Sequence, residues 1–212
     1  MSDIRYNFMA RFDSKIHQTT AYTAIDRYPA AFSQTQSLLA DGIDVRILSF
    51  GCSTGEEVVS LRKYFPQAHI IGAELNKSRL KKCRKMETDE RISFVRSTDE
   101  NIRKSGPYNA IFAMAVLQRK PHEILHNGTV DLSQIYAFSA FNSQLNTLDA
   151  NLLPGGFMII QHTQYRFRDC DIFHRYESCY QIKSDKLLPS FDRNGLLISG
   201  APYNEIIFRK IN

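Results

Sequence analysis

Residues 50–57, which read FGCSTGEE, concentrate side chains and backbone that could bind a ligand. Gly51 and Gly55 follow an apolar run, and they let the backbone turn sharply and approach a ligand with no Cβ in the way. Glu56 and Glu57 then place two negative charges where a helix is expected to begin. The segment can be compared with three known loop patterns, each of which implies a different ligand chemistry.

The first pattern is the dinucleotide-binding loop, G-x-G-x-x-G. Gly51 fills its first position, but Ser53 and Glu56 stand where the other two glycines belong. A pyrophosphate also binds at the positive end of the following helix, which Glu56 and Glu57 already occupy. Since the loop has no P-loop lysine either, neither NAD nor a nucleoside triphosphate is expected.

The second pattern is G-x-S-x-G, a hydrolase nucleophile turn, which residues 51–55 match with Ser53 as nucleophile. The rest of a triad could be supplied by Asp149 or Asp171 and by His162 or His174. In such hydrolases, however, the turn follows a central strand that several other strands precede, whereas here it follows the first predicted strand. A serine hydrolase using Ser53 therefore remains a minor alternative.

The third interpretation is a loop for S-adenosylmethionine, which carries a sulfonium cation, an ammonium group, a ribose and an adenine but no phosphate. Carboxylates beside the loop then attract the ligand. Glu74 ends the second predicted strand, where a carboxylate accepts hydrogen bonds from ribose hydroxyls. This chemistry explains both the acidic helix start and Glu74.

Strands and helices in alternation are predicted to position this loop. β-type runs are predicted at 45–50, 68–73, 91–96, 108–113, 157–161 and 205–209, and helices at 30–40, 56–64, 77–87 and 132–151. Several strands are continuously apolar, which is typical of a mostly parallel sheet covered on both faces. Ligands bind beyond the carboxyl ends of such strands, where the glycine loop lies. No helix separates the last strands, which favours an antiparallel pair at the sheet edge.

The chain is expected to have two regions. Residues 4–40 are predicted to be helical, with Pro29 starting the last of these helices. We therefore expect a small N-terminal helical cap over 1–40 and an α/β domain over 41–212.

Composition places the 212-residue chain among globular proteins, with 43% apolar and 23% charged residues. No apolar run approaches the roughly 18 residues of a membrane span, and no secretory signal is apparent, so a cytoplasmic protein without a membrane partner is expected. The four cysteines show no metal-binding spacing, and no metal is expected. The net charge is +5, and the basic run 79–85 could attract phosphates, although a solvated helix face is the favoured interpretation.

One further pattern, H-E-x-x-H, spans residues 122–126 and is that of zinc metalloproteases. Pro121 and Gly128 confine its helix to less than two turns, and no third zinc ligand follows. A segment that gates substrate entry is the best functional use of these residues.

Five motifs in order across residues 44–165 resemble those of class I S-adenosylmethionine-dependent methyltransferases. They read RILSFGCSTGEE, IIGAELN, ISFVRSTDENI, YNAIFAMAVLQR and LDANLLPGGFMII. GCSTGEE is particularly similar to the loop of chemotaxis-receptor glutamate methyltransferases. The acid that the family usually carries two residues before the first glycine is Ser49 here, and Glu56 is expected to compensate for it.

The resemblance implies a Rossmann-like, doubly wound sheet of seven strands, mostly parallel, with the last strand antiparallel. It implies S-adenosyl-L-methionine as cofactor and S-adenosyl-L-homocysteine as its product. The residues expected to bind the cofactor are Gly51, Cys52, Ser53, Gly55, Glu56, Glu74, Leu75, Thr98, Asp99, Ala113 and Met114.

The expected reaction is methylation of an oxygen or nitrogen of a small molecule or of a protein carboxylate. The candidate catalytic residues are Gln118, His162 and Tyr165. Methylation of the amino groups of nucleic-acid bases is disfavoured, because residues 113–116 lack the [D/N]-P-P-[Y/F/W] pattern that such enzymes carry after the fourth strand. A non-catalytic S-adenosylmethionine-binding module and an RNA methyltransferase remain alternatives, so a nucleic-acid partner is possible but not favoured.

Overall fold

The computed structural model describes residues 16–18, 20–183, 189–200 and 203–211. One sheet organises the chain. Its strands are β1 (Arg46–Phe50), β2 (His69–Glu74), β3 (Ile92–Arg96), β4 (Tyr108–Met114), β5 (Leu152–Gln161), β6 (Tyr176–Gln181) and β7 (Glu205–Lys210). The α-helices are α1 (Pro29–Leu38), α2 (Glu56–Tyr64), α3 (Lys77–Cys83), α4 (Asp99–Ser105), α5 (Pro121–His126) and α6 (Phe138–Asp149). Two 3₁₀ helices, Phe167–Asp169 and Asp171–Arg175, lead into β6.

The seven strands lie in the order β3-β2-β1-β4-β5-β7-β6. β1 to β5 pair in parallel, whereas β7 is antiparallel to both β5 and β6. Strand order reverses between β1 and β4, so a crevice opens beyond their carboxyl ends. The predicted fold class, a Rossmann-like doubly wound sheet with an antiparallel last strand, is confirmed.

Apolar side chains fill both faces of the sheet. Neighbouring residues of β1, Ile47 and Leu48, are fully buried on opposite faces, as the two-residue repeat of a strand requires. The Ile47 face packs against α1, α2 and α3, and the Leu48 face against α4, α5 and α6. The strands are therefore fixed from both sides, which gives the loops at their carboxyl ends a rigid base.

Three predicted boundaries are wrong. The helix predicted at 132–151 begins only at Phe138. Leu132 is buried and its N–H donates to the Gly195 carbonyl at 2.7 Å, which holds residues 132–137 outside the helix. The helix predicted at 77–87 ends at Cys83, after which the chain turns and brings the Met86 sulfur beside Gly55. The fifth strand begins at Leu152 rather than 157, with a register irregularity opposite β4.

The N-terminal prediction is confirmed only in part. α1 is present, but residues 16–18 and 20–28 form no helix and instead run past the carboxyl ends of the strands. Residues 1–15 lie outside the described residues, and the division at residue 40 stays a prediction. Within the described part of the chain, no helix is both long and apolar enough to cross a membrane.

Candidate active site

A cavity of about 370 Å³ lies beyond the carboxyl ends of β1, β2 and β4, within the size range of small-molecule sites. The glycine loop forms its floor. Residues 17–18 and 20–28, which precede α1, form the opposite wall, and the loop after β4 also lines the cavity. The cavity therefore occupies the position at which doubly wound sheets bind ligands.

The glycine loop has its shape because two positions exclude a side chain. Gly51 has a φ of +77°, and a Cβ there would lie 2.3 Å from a methyl group of Val116 in the loop after β4. Gly55 has a φ of +104°, and a Cβ there would lie 2.5 Å from the sulfur of Met86. The N–H groups of Gly51 and Cys52 both donate to the Ala73 carbonyl, which ties the loop to the end of β2.

Non-glycine residues with positive φ angles mark the loops that follow three strands. They are Ser53 after β1, Ala115 after β4 and His162 after β5, with φ angles of 53°, 52° and 56°. Such angles are uncommon for residues with a Cβ, and they tend to occur where a site requires a particular backbone path. Ser53 and Ala115 both line the cavity.

Glu74, at the end of β2, is only 4% exposed and lines the cavity. One carboxylate oxygen accepts from the Ser53 N–H at 3.0 Å and the other from the Asn76 N–H at 2.6 Å. Burial raises the pKa of Glu74, while the Asn76 N–H, the charge of Arg79 and the Ser53 N–H oppose the shift. Because each oxygen can accept more than one hydrogen bond, the group can still bind ligand hydroxyls.

Glu57 is a second cavity carboxyl group, and it is not among the predicted cofactor-binding residues. Its Oε1 accepts from Ser49 Oγ at 2.7 Å. Burial raises the pKa of Glu57 to about 7, against the opposing effects of the Ser49 hydrogen bond and the Arg27 charge. Ser49 is thus accompanied by an acid from the first turn of α2.

The predicted compensating acid, Glu56, does not line the cavity. Thr54 Oγ1 donates to its two carboxylate oxygens at 2.7 and 2.9 Å. Consecutive helix residues point about 100° apart, so only one of the two acids at the start of α2 can face the ligand. Both acids follow closely after Gly55 in the sequence, and the sequence pattern does not show which of the two side chains faces the ligand.

The N-terminal wall contributes a cation and a buried hydroxyl group. Arg27 Nη1 donates to the Tyr22 carbonyl at 2.9 Å, and the guanidinium lies 4.7 Å from the centre of the Tyr22 ring and 5.0 Å from that of Tyr28. The Tyr28 hydroxyl is buried with no hydrogen-bond partner among the described residues, and burial raises its pKa. Arg27 and Tyr28 belong to no sequence motif, which is why they were missed, whereas Glu57 lies in the glycine-loop motif beside Glu56.

The predicted cofactor-binding residues fall into two groups, according to whether they line the cavity. Those that line the cavity are Gly51, Cys52, Ser53, Glu74, Leu75 and Met114. Gly55, Glu56, Thr98, Asp99 and Ala113 do not line it. Thr98 instead caps α4 by accepting from the Asn101 N–H at 3.3 Å, and its neighbour Ser97 reaches the cavity.

The three candidate catalytic residues lie in different surroundings. Gln118 lines the cavity and is 4% exposed; its Nε2 donates to the Ala115 carbonyl, and its Oε1 has no partner among the described residues. His162 does not line the cavity, packs against the Tyr28 ring and has a pKa lowered by burial and by Arg27. Tyr165 is buried in the core and donates to the Tyr136 carbonyl.

The hydrolase alternative finds little support in these contacts. Ser53 Oγ donates to the Ala21 carbonyl at 3.2 Å rather than to a histidine ring. Asp149 is bound by Arg175, Tyr176 and Lys210 at the far edge of the sheet. No histidine therefore connects the two groups within the described residues.

The H-E-x-x-H segment forms α5, which has only six residues. His122 lines the cavity, whereas His126 does not. Among the described residues, no group of three or more His, Cys, Asp or Glu side chains is arranged to hold a metal ion.

No protein-family model and no curated protein matches the chain, but solved structures do. TehB from Haemophilus influenzae matches with a TM-score of 0.53 and 12% identity over 85% of this chain and 62% of that one. The likeness is one of fold. The plantazolicin methyltransferase BpumL with SAH matches at a TM-score of 0.45 and 16% identity, over 74% and 51% of the two chains. SAM-bound CalS10, an amino pentose methyltransferase from Micromonospora echinaspora, matches at a TM-score of 0.46 and 15% identity, over 76% of this chain and 56% of that one. The chain thus spans about half the length of the last two structures.

Proposed function

We propose that the protein is an S-adenosylmethionine-dependent methyltransferase. The observation that carries this proposal is the Glu57 carboxyl group, which lies partly buried in the cavity wall at the start of α2 and accepts a hydrogen bond from the neutral Ser49 hydroxyl. Glu57 forms no ion pair with any of the described residues, so a positively charged ligand group is favoured beside it. The same acid opposes a pyrophosphate, which would need this helix end.

The cavity offers a partner for each polar part of the cofactor. Glu74 accepts hydrogen bonds from the ribose hydroxyls, as its place at the end of β2 predicts. Glu57 binds the ammonium group, and Arg27 binds the carboxylate of the methionine part. Leu75 and Ser97 lie beyond Glu74 and contact the adenine. Gly51 and Ser53 bring the loop backbone close to the methionine chain.

The bound cofactor supplies an electrophilic methyl group on sulfur. The task of the protein is to hold the acceptor in line with that methyl group and to exclude water, which lowers the barrier chiefly through positioning. Met114, Ala115 and Val116 form the wall between the two ligands, and Gln118 orients the acceptor. The acceptor atom is an oxygen or a nitrogen.

Calorimetric titration of S-adenosylhomocysteine tests the proposal without a known acceptor. Wild-type protein is expected to bind it and to bind neither NAD nor ATP with comparable affinity. Glu74→Gln is expected to weaken binding by about 10- to 100-fold, the loss of charge-assisted hydrogen bonds. The matched control is Glu100→Gln, whose carboxylate pairs with Lys104 on the surface of α4. Tighter binding of NAD or ATP, or an unchanged affinity in Glu74→Gln, overturns the proposal.

A further inference from the structure

The charges in the cavity are confined to one end. Among the described lining residues, the carboxylates are Glu57 and Glu74 and the guanidinium groups are Arg27 and Arg79. Glu57 is bound by Ser49 of β1 and Glu74 by the Ser53 N–H, so both carboxylates lie beside the glycine loop. Arg79 lies on α3, which begins three residues after Glu74, and the charge of Arg27 acts on Glu57. These four groups belong to the part of the cavity assigned to the cofactor.

The other end is uncharged apart from histidine rings. The loop after β4 contributes Val116, Gln118, Pro121 and His122 to the lining, and His17 and Gln18 face them from the N-terminal segment. Gln18 is held there because its Nε2 donates to the Ala115 carbonyl at 3.2 Å. This end contains no Asp, Glu, Lys or Arg among the lining residues that the structure describes.

Gln118 presents a hydrogen-bond acceptor to this end. Its Nε2 donates to the Ala115 carbonyl at 3.1 Å, which fixes the amide orientation and leaves Oε1 as the atom whose hydrogen bond is not satisfied. Oε1 is buried and has no partner in the described part of the chain. A buried acceptor without a donor is unfavourable, so a ligand that supplies an O–H or N–H group is favoured here.

Two histidines line this end, and they differ in whether the protein already occupies their ring nitrogens. The His17 ring nitrogens lie 2.6 Å from the Tyr136 hydroxyl and 3.4 Å from Gln144 Oε1, so both face protein groups. His122 is exposed to solvent at the start of α5, and no hydrogen bond to its ring is found among the described residues. His122 is therefore the histidine that can take a proton from a ligand and pass it to water.

From this division we infer that the methyl acceptor is an uncharged hydroxyl compound, oriented by Gln118 and deprotonated by His122. The inference rests on the proposed function. A bond forms between the acceptor oxygen and the methyl carbon, the carbon–sulfur bond breaks with its electron pair left on sulfur, and the hydroxyl proton moves to the His122 ring. The products are a methyl ether and S-adenosylhomocysteine.

Other acceptor classes fit this end less well. Alkyl amines and carboxylates are charged near neutral pH, and the described residues that line this part of the cavity offer neither of them a counter-charge. A neutral heteroaromatic nitrogen attacks through its lone pair and has no hydrogen on that atom to donate to Gln118. A hydroxyl group meets both conditions, because it is neutral and carries a hydrogen on the nucleophilic atom.

The test uses matched small acceptors with the S-adenosylhomocysteine-loaded protein. Phenol and benzyl alcohol are compared with benzylamine, benzoate and 1-methylimidazole by ligand-observed NMR. The hydroxyl compounds are expected to bind more tightly than the other three. Gln118→Leu, which keeps the side-chain size but removes Oε1, is expected to weaken their binding by about tenfold, roughly the net value of one hydrogen bond. Its affinity for S-adenosylhomocysteine should change less than twofold.

The role of His122 is tested with S-adenosylmethionine and whichever hydroxyl compound binds best. His122→Asn is expected to leave its binding intact and to lower methyl transfer by about 10²- to 10⁴-fold. Equal or tighter binding of a charged compound, no binding of any compound, no effect of Gln118→Leu, or full activity of His122→Asn overturns the inference. If S-adenosylhomocysteine itself does not bind, it is the proposed function that fails.

Discussion

Two carboxylates of this protein, the buried Asp149 and the partly buried Glu57, have opposite surroundings. Asp149, at the end of α6, is 3% exposed and is fully paired: Arg175 donates to it at 2.7 Å, the Tyr176 hydroxyl at 2.8 Å, and Lys210 lies 3.0 Å away. Glu57, in the cavity wall, has the Ser49 hydroxyl as its hydrogen-bond donor. Burial consequently raises the pKa of Glu57 to about 7.

The difference separates a structural charge from one held for a ligand. A buried charge is tolerated when the protein supplies its partners, and Asp149 has them from β6, β7 and the segment before β6. In the part of the chain that the structure describes, Glu57 forms no ion pair, and burial outweighs the opposing charge of Arg27, so the unliganded protein carries an unfavourable charge there above neutral pH. Sites that bind ligands often keep such locally unfavourable groups at the expense of stability.

The largest expected effect is on the paired carboxylate. Asp149→Ala removes the partner of the buried Lys210 and should destabilise the fold by about 3–5 kcal/mol in urea unfolding. As a control, Glu100→Ala breaks an exposed pair with Lys104 and should change stability by less than about 1 kcal/mol. If the two variants lose similar amounts, the Asp149 cluster does not stabilise the sheet edge as described.

The next effect concerns ligand affinity and distinguishes the two acids at the start of α2. Glu57→Gln should weaken S-adenosylhomocysteine binding by about 10- to 100-fold, because a charged contact to the ammonium group is lost. Glu56→Gln should change the affinity little, since Thr54 holds that carboxylate outside the cavity. If calorimetry shows a larger loss of affinity for Glu56→Gln than for Glu57→Gln, Glu56 is the acid that compensates for Ser49.

The same Glu57 substitution should stabilise the unliganded protein. Glu57 keeps its proton up to about pH 7 when folded, whereas the unfolded chain releases it near pH 4.5. Stability therefore falls as pH rises from 4.5 to 7, and the penalty is complete above pH 7. The full shift corresponds to about 3 kcal/mol, and solvent screening of this partly exposed group reduces it. Glu57→Gln should therefore be more stable than wild type by about 1–2 kcal/mol at pH 8 and nearly equal at pH 4, as measured by thermal unfolding. An equal or lower stability at pH 8 contradicts the raised pKa.

The smallest effect is expected at Thr98, a polar residue whose hydrogen bond the protein itself satisfies. Thr98→Ala removes the cap of α4 and should destabilise the fold by about 1 kcal/mol. S-adenosylhomocysteine affinity should stay within a factor of two. A larger loss of affinity would place Thr98 beside the adenine, as the sequence motif implied.

The sequence predicted the sheet well because its strands are short apolar runs separated by helices. β6 was not assigned, since it lies at the sheet edge with one neighbour and its exposed residues alternate poorly. α4 was also missed, although Thr98, Asp99 and Glu100 form a helix-start signal that could have revealed it.

The residues of the site could be predicted from the sequence only where they lie at the end of a predicted strand or directly after it. Glu74 ends β2 and Gly51 follows β1, and the structure places both in the cavity. The choice between Glu56 and Glu57 depends on the rotation of α2, which no motif encodes. Arg27 and Tyr28 reach the cavity because the chain before α1 lies across the strand ends, a tertiary arrangement that local sequence patterns do not show.

The most direct test is the affinity of S-adenosylhomocysteine at pH 8 and pH 6, for wild type and for Glu57→Gln. If the ammonium group binds ionised Glu57, binding below pH 7 must release the proton of that carboxyl group. Wild-type affinity should then fall about tenfold from pH 8 to pH 6, while that of the variant should stay constant. Equal wild-type affinities at both pH values, or the same fall in the variant, would contradict the assignment of Glu57 to the cationic end of the ligand.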